Sequence, residues 1–138
     1  MLTIDDNLLR DVDFTKWLAS SEGRVWLTLM GSINRSEAEN KELYDSYYKK
    51  NKLVVRVSLE ELNSRVGYRS GDKGNMSKII NKLHKNKFIV KRPCITNKNT
   101  ANVYELGYIS NKNNKEIPYA LEKFQIKGMQ RELKSKGF

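Results

Sequence analysis

The chain has 138 residues, a formal net charge of +10 at pH 7 and a single cysteine, Cys94. A lone cysteine excludes an intrachain disulfide and a zinc cluster built from cysteines, so we expect a reducing, cytoplasmic setting. The chain starts without an apolar signal segment, and no run is apolar for long enough to span a bilayer. We therefore expect one soluble domain over residues 1–138, with no membrane partner.

The positive charge is unevenly distributed along the chain. Between Met1 and Tyr47 there are five basic and nine acidic residues, whereas between Arg65 and Lys98 there are ten basic residues and one acid. A chain polarised in this way is expected to fold with one strongly positive surface, which favours a polyanionic partner. The asymmetry indicates nucleic acid as the partner class.

Two amphipathic helices are predicted in the first 35 residues. A short one carries Phe14, Trp17 and Leu18 on one side. The other spans residues 20–35, with apolar residues at the spacing i, i+3, i+4 and a serine N-cap at its start. Each helix has an apolar side that must pack against other parts of the chain.

A tyrosine-rich segment follows from Ser36. It predicts a polar helix with a narrow stripe that contains Leu43, Tyr44, Tyr47 and Tyr48. Tyrosines interleaved with lysines, as in YDSYYKKNK, also suit stacking on single-stranded bases. The shared helical stripe favours core packing or a subunit interface.

The run LVVRV at residues 53–57 predicts a strand, because β-branched residues dominate it. A helix should start directly after this strand, since Ser58 and Glu61 have the spacing of a capping box and Gly67 is a stop signal.

The most basic segment predicts a second helix, from about Asn75 to Asn86. Four apolar residues fall on one stripe of it: Met76, Ile79, Ile80 and Leu83. The charged residues are then forced to the opposite face. Because asparagine tolerates the left-handed conformation second only to glycine, we expect the residue that ends this helix to be Asn86.

Two strands and a last helix complete the prediction. FIVKRPCI and ANVYELGYI read as strands joined by a hairpin tip at Thr96–Thr100. The last helix should start near Pro118 and is weakened by Gly128 in its middle. Its candidate buried residues are Leu121, Phe124, Ile126 or Lys127, and Met129.

The order helix, strand, capped helix, glycine-containing turn, basic helix and basic hairpin resembles the winged helix-turn-helix superfamily over residues 20–109. The segments that carry the resemblance are VSLEELNSRVG, NMSKIINKLHKNKFIVKR and ITNKNTANVYELG. It implies an α+β, mainly helical fold with extra N- and C-terminal helices, in which residues 110–138 form a C-terminal extension. Bacterial repressors and winged-helix domains of plasmid and phage replication proteins share this pattern.

The resemblance implies binding to duplex DNA, with the basic helix in the major groove and the hairpin along a neighbouring minor groove or backbone. Lysine and arginine suit guanine and phosphate, and asparagine can pair bidentately with adenine. Six to eight neutralised phosphates would lower the affinity by about 10³- to 10⁴-fold between low and physiological salt. The candidate DNA-binding residues are Arg69, Ser70, Lys73, Asn75, Ser77, Lys78, Asn81, Lys82, Lys85, Lys91, Arg92 and Lys98.

The sequence predicts no enzyme, cofactor or metal site. His84 is the only histidine, the aspartates at positions 5, 6, 11 and 13 suit helix N-termini or a disordered tail, and no phosphate loop or nucleophile motif is visible. The expected role is replication, partition or transcription control of a mobile element, with a replication or partition protein as a further partner.

Apolar residues in the helices outside the motif, at Thr15–Ser20 and Pro118–Lys134, suggest spare apolar surface and hence a homodimer on a two-fold symmetric DNA site. Two other functions stay open. One is a single-stranded DNA-binding or adaptor protein that works with a helicase or polymerase, and the other is a winged-helix module that binds only protein.

Overall fold

A computed structural model describes residues 4–36, 38, 41–69, 73–92, 102–135 and 137. They form an α+β fold with seven helices, a 3₁₀ turn and one antiparallel sheet. The helices are α1 (Asp6–Leu9), α2 (Val12–Ala19), α3 (Ser21–Gly31), α4 (Lys41–Ser46), α5 (Leu59–Val66), α6 (Lys73–Lys85) and α7 (Tyr119–Ser135), and the 3₁₀ turn spans Tyr48–Lys50. The strands are β1 (Lys52–Val57), β2 (Val90–Arg92), β3 (Asn102–Ile109) and β4 (Glu116–Pro118).

β3 is the central strand of the sheet. β1 pairs antiparallel with it, from Lys52 opposite Tyr108 to Val57 opposite Asn102. β2 and β4 are also antiparallel to β3 and share its other edge, opposite residues 103–105 and 107–109. The strands predicted at LVVRV and ANVYELGYI are therefore confirmed, and the one predicted at FIVKRPCI is confirmed over Val90–Arg92 only. β4 is an addition that the sequence did not indicate, and the predicted hairpin tip lies outside the described residues.

The sheet is covered on both faces. Val55 and Tyr104 point into the main core, together with the apolar stripes of the helices. Val54 and Val103 point the other way and are buried with Leu43 of α4. β1 is consequently an almost continuous apolar run, as expected of a strand that is buried on both sides.

An aromatic cluster joins the first and last helices to the core. The Trp17 ring centroid lies 5.3 Å from that of Trp26 and 4.8 Å from that of Phe88. Phe124 of α7 lies 5.4 Å from Trp17 and meets Phe14 edge-on at 5.2 Å. The prediction that the flanking helices leave spare apolar surface is wrong at these positions, because α2 and the first turns of α7 complete the core of the monomer.

Side-chain caps start the helices as the sequence predicts. The hydroxyl oxygens of Ser20 and Ser58 accept backbone N–H groups in the first turns of α3 and α5, at 3.2 Å and 3.0 Å. The carboxylates of Asp5 and Asp11 cap α1 and α2 in the same way. These aspartates therefore supply acceptors for the free N–H groups of helix ends.

The left-handed residue after α6 is Lys87 (φ 63°), one position later than the predicted Asn86, whereas α6 itself ends at Lys85. The Phe88 N–H donates to the Leu83 carbonyl, and the Lys87 N–H donates to the His84 carbonyl, both at 3.0 Å. This pair of hydrogen bonds is a Schellman motif. It directs Phe88 into the aromatic cluster, and that burial offsets the cost of a left-handed lysine.

The predicted polar helix from Ser36 is shorter than expected. In the part of this segment that the structure describes, α4 starts at Lys41 and is followed by the 3₁₀ turn. Asn51, which is left-handed (φ 63°), immediately precedes β1. Tyr47 packs beside Leu43 on the outer face of the sheet. The segment is therefore a cover for β1 and β3.

α7 starts after Pro118, as predicted, and continues through Gly128. Leu121 and Phe124 are buried as expected, whereas Ile126 and Met129 are 50% and 63% exposed, so their predicted burial is wrong. The core does not extend past the first turns of this helix on the side where they lie.

β4 lies so close to β3 that only glycine fits at position 107. A Cβ on Gly107 would lie 2.3 Å from the Ile117 carbonyl oxygen and 2.7 Å from the Pro118 Cα. Because α7 follows β4 directly, this contact sets where α7 starts.

Candidate nucleic-acid interface

α6 has the two faces that the sequence predicts. Met76, Ile79, Ile80 and Leu83 are all buried. The residues farthest from that stripe recur at the spacing i, i+4, i+7, i+11, which places them in one line along the helix. They are Gly74, Lys78, Asn81 and Lys85, and all four are exposed.

β2 runs beside this line of residues, and Lys91 of β2 is hydrogen-bonded to Asn81. The Lys91 ammonium donates to Asn81 Oδ1 at 3.0 Å, and the Lys91 backbone N–H donates to His84 Nδ1 at 3.2 Å. An ammonium can only donate, so the Asn81 amide presents its two N–H groups outward. Because Nδ1 of His84 accepts, its Nε2 carries the proton and is also a donor. We call the exposed side chains of Lys78, Asn81, Lys85 and Lys91 the basic face.

The basic face is rich in cations and donors and poor in acids. Within the described part of the chain, no carboxylate forms an ion pair with Lys78, Lys85 or Lys91. Such a surface can meet phosphate oxygens through its ammonium groups and base-edge acceptors through its amide.

Lys82 lies on the flank of α6 that faces α3, and its charge is compensated there. Its ammonium is 2.9 Å from Glu22 Oε1 on α3. Because Lys82 is 60 residues beyond Glu22 in the chain, no spacing rule could have predicted this ion pair. Among the predicted site residues of α6 whose side chains the structure describes, Lys82 is therefore the one with a paired charge.

Arg92, at the end of β2, forms an ion pair whose carboxylate is more buried than the one that pairs with Lys82. Its guanidinium lies 3.2 Å from Glu105 Oε1, and the Glu105 side chain is only 4% exposed. The other Glu105 oxygen accepts the hydroxyl of Tyr119 at 2.5 Å. Burial raises the pKa of Tyr119 well above 10.0, and the hydrogen bond to Glu105 raises it further. Arg92 thus links β2 to β3, which limits its reach toward a ligand.

The remaining predicted residues lie at different places. Arg69 and Asn75 are exposed at the entry to α6, and Ser77 is half-buried on the side of His84. Lys73 starts α6. Ser70 and Lys98 lie outside the described residues. The basic face therefore brings together the central members of the predicted set and separates Lys82 and Arg92 from it.

The tyrosines of the 36–52 segment form a different surface. The rings of Tyr44 and Tyr48 are stacked at 5.0 Å, and the Lys49 ammonium lies 5.9 Å from the Tyr44 centroid. Both tyrosines are half-buried. Part of each ring is thus accessible beside a cation, and the rest packs against the protein.

Among the described helices, none is long and apolar enough to cross a membrane. Neither a protein-family model, nor a curated protein, nor a solved structure matches the chain.

Proposed function

We propose that the chain is a non-enzymatic winged-helix protein that binds duplex DNA in the cytoplasm through the basic face. The observation that carries the proposal is the line Lys78–Asn81–Lys85 on α6, continued by Lys91 and free of paired acids among the described residues. A helix with an apolar stripe in the core and cationic and amide groups outside suits the major groove in width and chemistry.

The topology supports the winged-helix assignment. In the chain, β1 precedes the helices α5 and α6, and the β2–β3 hairpin follows these helices. β1 pairs with β3 and so joins the same sheet. Lys91 on the hairpin touches Asn81 on α6, so one DNA duplex could meet both elements. In this proposal α6 occupies the major groove and the hairpin lies along the adjacent backbone or minor groove.

We assign the binding to replication, partition or transcription control of a mobile element, with a replication or partition protein as a further partner. Support comes from the lysine- and asparagine-rich composition, a bias that often accompanies AT-rich genes. Footprinting on the upstream region of its own gene tests the regulatory form of this proposal.

The test of DNA binding is an anisotropy titration with a fluorescent 30-base-pair duplex at several salt concentrations. Lys78→Gln/Lys85→Gln should weaken binding by about tenfold or more. It should also lower the salt slope, which is the steepness with which the logarithm of the affinity falls with the logarithm of the salt concentration, by about 2. The matched control is Lys112→Gln/Lys115→Gln, which removes two exposed lysines from the β3–β4 turn. A wild-type affinity indifferent to salt, or equal losses in both variants, would contradict the proposal. A winged-helix module that binds only protein would leave the duplex unbound.

We also propose a homodimer, now through the outer side of α7. Ile126, Met129 and Leu133 are each at least half exposed and recur at the spacing i, i+3, i+7, on the side of the helix away from the core. Met129→Glu should convert the dimer to a monomer in sedimentation, and Leu27→Glu, at an exposed leucine of α3, should not. A wild-type monomer at micromolar concentration would contradict this part.

A second candidate function rests on the stacked pair Tyr44 and Tyr48. A single-stranded DNA-binding or adaptor protein would use their exposed edges and Lys49 as a stacking platform. Competition between single-stranded and duplex oligonucleotides separates the two candidates. If single strands win and Tyr44→Ala abolishes the preference, the second candidate replaces the first.

A further inference from the structure

The C-terminal end of α6 carries a second group of cations that does not belong to the basic face. Left-handed Lys87 is exposed there, and two lysines of α7 approach the same place. The Lys123 ammonium lies 4.8 Å from the centroid of the Phe88 ring, next to Lys87 in the chain. The Lys127 ammonium lies 5.8 Å from the Phe124 ring. We call Lys87, Lys123 and Lys127 the lysine cluster.

The three charges of the lysine cluster repel one another. The pKa of Lys123 is lowered, first by burial and then by the positive charges of Lys127 and Lys87. In the described part of the chain, none of the three forms an ion pair with a carboxylate. A group of like charges that the fold leaves uncompensated is stabilised when an anion binds between them.

Helix capping explains only one member of the cluster. The Lys123 ammonium donates to the backbone carbonyl of Asn86, at the end of α6 where a cation complements the helix dipole. No such hydrogen bond is made by Lys87 or Lys127 among the described residues. The side chains of Lys87 and Lys127 therefore cap no helix among the described residues, although the Lys87 backbone forms the Schellman motif and the Lys127 ammonium lies near the Phe124 ring.

A depression next to Lys87, with a mostly apolar lining, lies between the two groups of lysines. It has a volume of about 530 Å³ and is lined by His84, Lys85, Lys87, Ile89, Val90 and Tyr119. Lys85 belongs to the basic face and Lys87 to the lysine cluster, so the depression connects the two. Lysines thus occur in the middle of α6, at its C-terminal end beside this depression, and on α7.

We infer that the lysine cluster is a second DNA contact, which binds backbone phosphates of the same duplex where they border the groove that α6 enters. This inference rests on the proposed function. α6 has 13 residues and is about 20 Å long at 1.5 Å per residue. Phosphates that border the major groove therefore lie within reach of side chains at its end, since the groove is about 12 Å wide. The cluster contributes affinity and orientation, and no base specificity.

The test is the salt dependence of binding to the 30-base-pair duplex by Lys87→Gln/Lys127→Gln. Lys123 is kept because it caps α6. Each lost phosphate contact should lower the salt slope by about 1, so we expect a drop of about 2 and an affinity loss of about tenfold near physiological salt. Base preference in a selection from random duplexes should not change. The control variant Lys112→Gln/Lys115→Gln should keep the wild-type slope.

The outcomes separate this inference from the proposed function. Wild-type protein that binds no duplex overturns the proposed function and the cluster's role with it. Wild-type binding with an unchanged slope in Lys87→Gln/Lys127→Gln overturns the inference alone, and a slope that falls equally in the control variant does the same. If replacement of left-handed Lys87 unfolds the protein, the test uses Lys127→Gln alone, because Lys127 is on the exposed side of α7. The salt slope should then fall by about 1.

Discussion

The ammonium of Lys82 on α6 lies 2.9 Å from the carboxylate of Glu22 on α3. The lysine side chain is 64% exposed and the glutamate side chain 23% exposed. An acid therefore stands at the border of the most basic helix, where it neutralises one cation and would repel an approaching phosphate. Exposed pairs of this kind contribute little to stability, so its main effect should be on binding.

Glu22→Gln should strengthen duplex binding. The substitution frees Lys82 and removes a repulsive charge, so we expect a three- to tenfold gain in affinity and a salt slope steeper by about 1. The matched control is Asp6→Asn, which removes the same charge from the exposed first turn of α1. Equal gains in both variants would mean that net charge alone, and not the position of Glu22, controls binding.

Lys91 should determine which base Asn81 prefers. With one lone pair of its oxygen occupied by the Lys91 ammonium, Asn81 offers mainly N–H donors. We therefore expect a preference for acceptors such as guanine O6 and N7 or thymine O4, not the bidentate pairing with adenine that free asparagine makes. Selection of bound duplexes with wild type and with Lys91→Met measures this. Adenine preference should appear only in the variant, and adenine preference in the wild type would contradict it.

Glu116 and Arg35 tie β4 to the segment after α3 and should stabilise the fold. Arg35 donates to both carboxylate oxygens, at 2.8 Å and 3.0 Å. Glu116→Gln should lower the free energy of unfolding by about 1–2 kcal/mol at pH 7, because charge-assisted bidentate pairs are stronger than neutral ones. Glu61→Gln breaks an exposed pair with Arg65 on α5 and should cost less than about 0.5 kcal/mol.

The same pair gives a pH dependence. The hydrogen bond from Arg35 holds the pKa of Glu116 below its ordinary value of 4.5. The stabilisation is therefore complete above pH 4.5 and is lost as the pH falls through the lowered pKa. Urea unfolding of wild type and Glu116→Gln between pH 7 and pH 3 should show the difference in free energy shrinking below pH 4.5. A constant difference would contradict the role of the ionised pair.

Tyr119→Phe should destabilise the protein by about 1–3 kcal/mol, because it leaves an oxygen of buried Glu105 without its donor. Burial and this bond raise the pKa of Tyr119 above its ordinary value of 10.0. Its contribution is therefore present below pH 10 and disappears as the pH rises through the raised pKa. Tyr108→Phe is the control, since its hydroxyl makes only a 3.4 Å contact with Glu122. Similar losses in the two variants would contradict a special role for Glu105.

Local features of the fold could be predicted because neighbouring residues determine them. The buried stripe of α6 and the Ser58 cap depend on spacings of a few residues, and both are confirmed. The end of α6 could not be predicted in this way. Asparagine is the better left-handed residue, but Lys87 takes that conformation and Phe88, the next residue, packs against Trp17 and Phe124.

The charge pattern of the site was predictable only in part for the same reason. Sequence position identified the exposed lysines of α6, whereas the acids that pair with Lys82 and Arg92 come from α3 and β3. Lys123 is 36 residues beyond Lys87, so no helical periodicity relates them. Long-range packing decides which cations remain free for a ligand, and that information is absent from any short window of sequence.

Gly107 illustrates how a residue far from the charged surface can govern it. Any side chain at this position must displace β4, and α7 would shift with it, carrying Lys123 and Lys127 away from Lys87. In a saturation mutagenesis screen scored by binding to the 30-base-pair duplex, this glycine should rank among the least tolerant positions, although it lies outside the basic face and the lysine cluster. Loss of duplex binding would then result from substitutions at the close contact between β3 and β4 as well as from substitutions of the lysines themselves.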